Sequence, residues 1–122
     1  MNRKIAELWI ADLRTNPPQS RGVLFDGNGH CCLGRLCELN GLKPVENRHS
    51  DRNTYYYDDE TFMLPSQVKE WAEMKSDDGS YGSYIGVSRY IGEDSGTLTD
   101  DNDSGKTFAE IADIIEAHIE EL

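Results

Sequence analysis

From Thr107 to Leu122 the chain reads TFAEIADIIEAHIEEL, and the spacing of its apolar residues leaves little choice of structure. Phe108, Ile111, Ala112, Ile115, Ile119 and Leu122 recur at helical intervals, which places them on one side of an α-helix. Thr107 and Glu110 stand three positions apart at its start. That is the pattern of a capping box, in which each side chain takes up an amide that the first turn leaves unpaired. Glu110, Asp113, Glu116, Glu120 and Glu121 fall mostly off the stripe. The spacing predicts an amphipathic helix from about Phe108 to Glu121, whose isoleucines must be covered by the rest of the chain.

Three further helices or helix-like segments are available to cover it. Ile5, Leu8, Trp9 and Leu13 share a helical face, with Asn2 as a cap and TNPP as a stop. A second helix is expected at about Cys31 to Leu39, closed by Asn40-Gly41, where glycine adopts the left-handed conformation. A third runs from about Ser66 to Met74, with Pro65 ahead of it and Val68, Trp71 and Ala72 on one side. RGVLFDGNGHCCL reads as a hairpin around Asp26-Gly27-Asn28-Gly29, VENRHSDRN as a polar loop, and Tyr55 to Tyr57 as a strand. The fold class expected is α+β: a hairpin or small antiparallel sheet packed with three to four helices, the C-terminal one completing the core.

With 122 residues the chain suffices for one domain, 1–122. A Gly/Ser/Asp-rich segment within 75–106, which also holds YIGVSRYIG, is expected to be mobile. Charge is unevenly spread. Residues 1–57 hold eight Lys/Arg against six Asp/Glu, and residues 58–122 four against seventeen. An acidic second half repels nucleic acid and anionic membranes and attracts basic partners, although it also serves solubility alone. The charged, amphipathic N-terminus carries no signal-peptide pattern, and no run approaches the roughly 20 apolar residues of a membrane span. Cys31, Cys32 and Cys37 are an odd number, as expected of reduced thiols in a cytoplasm.

Several ligand patterns fail on inspection. Gly105-Lys106-Thr107 ends like a phosphate-binding loop, but Asp100 stands where the opening glycine belongs. Asp100, Asn102, Ser104 and Gly105 match the first half of a calcium loop, yet its twelfth position is Ile111 and Glu110 is one residue short, leaving at most an irregular calcium site. His30, Cys31, Cys32 and Cys37 lack the paired spacing of a zinc site, so the cysteines are expected to pack as small buried groups. Asp58-Asp59-Glu60, Asp77-Asp78 and Asp100-Asp101 sit in polar stretches without the apolar walls that general acid/base chemistry requires. No metal, cofactor or catalytic residue is expected. Tyr55, Tyr57, Tyr81, Tyr84 and Tyr90 interleave with Arg48, Arg52 and Arg89. Such a set suits either a recognition surface for a protein or a small phosphorylated ligand, or the alternate residues of a half-buried strand.

The blocks WIADLR, RGVLFDGNGHCCLGRLCELNG, LPSQVKEWA and NDSGKTFAEIADIIE, in that order, resemble a family of small proteins encoded by tailed bacteriophages and prophages. The resemblance carries over no catalytic or binding residue. It implies a setting, the host bacterial cytoplasm, and a role as an accessory factor that blocks or redirects a host component. The first expectation is thus a non-enzymatic protein docking on a basic host surface through Asp100, Asp101, Asp103, Glu116 and Glu120. A sponge for a cyclic-nucleotide signal, using the tyrosines and arginines in a pocket that a homo-oligomer would help build between subunits, is the alternative. An enzyme or metal protein working through the cysteines is the third.

Overall fold

The computed structural model describes residues 1–47, 54–82 and 95–122. Among them are five α-helices and one two-stranded antiparallel sheet, an α+β fold with a C-terminal helix. Helix α1 spans Arg3–Arg14 and opens with the Asn2 side chain accepting from the Ile5 amide at 3.1 Å. It ends where Asn16 turns left-handed ahead of Pro17 and Pro18. Helix α2 spans Cys32–Asn40 and closes on Gly41 at φ 89°, as the Asn-Gly pair predicts.

Strands β1 (Val45–Asn47) and β2 (Thr54–Tyr56) pair with Val45 opposite Tyr56 and Asn47 opposite Thr54. The sequence reading placed Val45 to Asn47 in a loop. Cross-strand pairing with the tyrosine run overrides the weak propensity of Glu46 and Asn47. The expected hairpin around Asp26 is reduced to an isolated Phe25–His30 bridge. Asp26 Oδ1 accepts from the amides of Asn28 (2.8 Å) and Gly29 (2.7 Å), and Cys31 at once begins capping α2, which leaves no length for a ladder.

Helix α3 (Ser66–Trp71) is shorter than expected because Glu73 turns left-handed at φ 56° and the Met74 amide reaches back to the Lys69 carbonyl. Helix α4 (Leu98–Asp103) has no counterpart in the sequence reading. It lies within the segment expected to be mobile, whose described parts are tied together: Tyr81 N–H donates to the Gly96 carbonyl and Leu98 N–H to the Gly79 carbonyl, each at 3.0 Å. Helix α5 (Phe108–Ala117) carries the complete capping box. The chain then tightens into a turn at His118, which still delivers Ile119 and Leu122 to the core.

One apolar cluster joins these elements. Helix α1 packs chiefly on α5 and also touches α2, and Trp9 and Leu13 share the buried cluster with Phe108, Ile111 and Ile115. The buried Trp9 indole donates to the Cys32 carbonyl at 2.8 Å, so a large ring enters the core without an orphaned N–H. At the surface, Arg14 pairs with Asp113 at 2.8 Å, an exposed contact worth about 0–1 kcal/mol.

Candidate functional site

Helix α4 faces inward with polar residues. Asn102 is fully buried: its Oδ1 accepts from Gln19 Nε2 (2.9 Å) and the Cys32 amide (3.2 Å), and its Nδ2 donates to the Ser20 carbonyl at 2.8 Å. The Cys32 amide is one of those that α2's first turn leaves unpaired, so α4 caps α2 from a distance of 70 residues. Asp101 is also 0% exposed; it accepts from the Tyr81 hydroxyl and from the Ser95 amide at 2.9 Å. The Asp/Asn ladder that suggested a calcium loop is therefore helical, with two of its oxygen-bearing side chains turned into the protein.

The outer side of α4 borders a cleft of about 260 Å³. Its lining includes the buried Cys31 and Asn102, the half-buried Val23 and Met63, and Phe62, which is 56% exposed. Asp78, Asp100 and Asp103 supply carboxylates, and Thr97 and Thr99 line it as well. Asp103 Oδ1 also accepts from the Gly22 amide at 2.7 Å, and Asp78 Oδ1 from the Ser80 hydroxyl at 2.7 Å. Among the described residues no lysine or arginine lines the cleft, and Arg21, beside Gly22, is tied to the Asn102 carbonyl.

A second polar cluster joins α2 to the end of β2. The Tyr57 hydroxyl donates to Glu38 Oε2 at 2.7 Å, so its oxygen is left to accept from His30 Nε2 at 3.0 Å. His30 stacks on Phe25 with ring centroids 4.4 Å apart, and Arg35 grips Asp12 with two bonds of 2.8 and 2.7 Å. Burial and the Glu38 carboxylate raise the Tyr57 hydroxyl far above the usual phenol range, so it stays protonated. Burial also lowers His30, outweighing the attraction of Glu38, while Arg35 lowers it and Asp12 and Asp26 raise it. Between pH 7.5 and 5.5 stability should therefore fall as the unfolded chain, with an ordinary histidine near 6.5, takes up the proton first. Urea titrations across that range should show the fall in the natural protein and a flatter profile in His30→Gln; equal slopes would remove His30 as the source.

The cysteines pack as expected of small buried groups. Burial pushes Cys31 up to about 11, Cys32 well above the usual thiol value and Cys37 higher than Cys31, which suppresses the nucleophilic thiolate. Among the described residues, no group of three or more His, Cys, Asp or Glu side chains converges as a metal site would require.

The residues singled out from sequence are thus divided. Asp100 and Asp103 line the cleft; Glu116 and Glu120 do not, Glu116 being on α5 and within 3.4 Å of Arg14. Asp101 is corrected from docking surface to buried acceptor. Tyr57 and Tyr81 are likewise corrected: both are buried with their hydroxyls on carboxylates, which leaves them no free recognition face. Tyr55 is half-buried, edge-on to Phe25 at 4.8 Å. Arg48, Arg52, Tyr84, Arg89 and Tyr90 lie outside the described residues. Sequence reasoning missed Phe62, Met63 and Val23; a lone phenylalanine following Asp58-Asp59-Glu60-Thr61 was the available signal.

Residues 1–119 match the family defined as a domain of unknown function, DUF8296. The chain belongs to that family. No curated protein and no solved structure matches this DUF8296 chain. Among the described residues no helix is long and apolar enough to cross a membrane.

Proposed function

We propose that this DUF8296 protein is a non-enzymatic, phage-encoded accessory protein that acts in the host bacterial cytoplasm, docking on a host protein with a basic surface and so blocking or redirecting it. The observation that carries this reading is the cleft beside α4, where Asp78, Asp100 and Asp103 surround the apolar walls of Val23, Met63 and Phe62. Carboxylates speed encounter with a positive partner, and a desolvated apolar contact slows its release. The strongly acidic second half of the chain acts in the same direction.

The test is affinity capture from phage-infected cells with the full chain as bait, followed by a salt series on the purified partner. Affinity should drop as ionic strength rises from about 0.01 M to about 0.15 M, over which the screening length shrinks from about 30 Å to about 8 Å. Unchanged affinity across that series would remove the charge-driven docking.

A further inference from the structure

The cleft is selective enough to specify what part of a partner it takes, an inference that rests on the docking reading above. We propose that it receives a single arginine side chain from the partner protein. At about 260 Å³ it falls just below the roughly 300–1,000 Å³ of pockets that hold whole small molecules. One long side chain is the better match. Three lining carboxylates disfavour an anion, and a purely apolar occupant would strip water from them without replacing its hydrogen bonds.

Arginine satisfies both halves of the lining. Its methylene stem lies along Val23 and Met63, while its charged head stays near the mouth. The cleft lining includes an exposed aromatic ring, Phe62, and an exposed carboxylate, Asp100. A guanidinium stacks on an aromatic face and presents a planar fork to carboxylates; a lysine ammonium is a hydrated point charge that does neither as well. Among the described residues no lysine or arginine lines the cleft, so none of them supplies its carboxylates with a cation.

The experiment uses the full chain, labelled for methyl NMR, and a capped peptide bearing one arginine between glycines, with lysine and citrulline counterparts. The arginine peptide should shift the Val23 and Met63 methyl signals; lysine should bind about five- to tenfold more weakly, and citrulline should give no shift. Phe62→Ala and Asp100→Asn, both at exposed positions, should each weaken the arginine peptide by about five- to tenfold. Equal affinity for lysine and arginine, insensitivity to Phe62→Ala, or silent methyl signals would each overturn the arginine site. If the captured partner still binds with its salt dependence intact while Phe62→Ala leaves that affinity unchanged, the arginine site falls and the docking reading stands. If salt has no effect on the partner, the docking reading itself fails.

Discussion

Gly34→Ala is expected to destabilise the protein by about 3 kcal/mol or more, at the upper end of what overpacking does. Gly34 sits in α2, where alanine ordinarily improves a helix by up to about 1 kcal/mol. Here an added Cβ would lie 2.0 Å from the Leu24 carbonyl oxygen and 2.9 Å from its carbon. That carbonyl accepts from the Cys31 amide at 3.1 Å, and the Leu24 amide is itself fixed to the Thr61 carbonyl at 2.8 Å. The backbone cannot yield without breaking those bonds and shifting the buried Leu24 side chain, which the flexible end of a side chain could have done cheaply. Gly41→Ala makes the comparison clean. It meets nothing within 4 Å, so only the left-handed backbone opposes it, by about 1 kcal/mol. Urea denaturation of both variants should rank Gly34→Ala well below Gly41→Ala; a Gly34→Ala midpoint at or above that of the natural protein would mean that loop 24 does not press on α2 as described.

The contrast between these glycines also marks how far the sequence could be read. Gly41 follows from its position after Asn40, because a left-handed helix end is a local property. The same holds for the Asn2 cap, the Thr107–Glu110 box and the isoleucine stripe of α5, each of which involves residues a few positions apart. Gly34 is different: its meaning depends on a carbonyl brought to it by the chain reversal between Leu24 and Cys31. Helix α4 was illegible for a related reason. Six residues with three carboxylates among them give no apolar stripe, and the helix is held by Leu98 in the core together with inward polar bonds to Ser20, Cys32 and Tyr81. Its one local signal was Thr97 followed three positions later by Asp100; the Thr97 hydroxyl does accept from the Asp100 amide at 3.2 Å. The cleft inherits that obscurity, since its carboxylates come from α4 and Asp78 while its apolar walls come from residues 23 and 62–63. Counting acidic residues identified the sign of the surface but could not separate Asp100 and Asp103, which border the cleft, from Asp101, which the intervening turn of helix sends into the core.

Asn102 is where this inward polarity should have its largest measurable effect. Asn102→Leu would leave the Cys32 amide and the Ser20 carbonyl without the partner they now share, while the Gln19 side chain would keep only its bond to the Lys106 carbonyl. Each buried group left unsatisfied costs about 1–3 kcal/mol, so a loss of about 3 kcal/mol or more is expected despite the added apolar surface. Asn102→Asp separates hydrogen bonding from shape. At neutral pH the carboxylate keeps the two acceptor contacts, but it has no proton for the Ser20 carbonyl and adds a buried charge between Asp101 and Asp103. Burial and these neighbours raise the folded-state pKa of the new carboxyl above its unfolded value of about 3.9. A group with a raised folded pKa stabilises the fold below its unfolded value, and that contribution is lost as pH climbs through the folded one. Relative to the natural protein, Asn102→Asp should therefore be strongly destabilised at pH 7 and recover as pH falls toward about 4, where the protonated carboxyl again donates to Ser20. Asn102→Leu has no titrating group and should show no such recovery. Parallel urea titrations of the three proteins at several pH values check this; a constant gap between Asn102→Asp and the natural protein across the range would show that the Asn102 donor bond to Ser20 does not hold α4 in place.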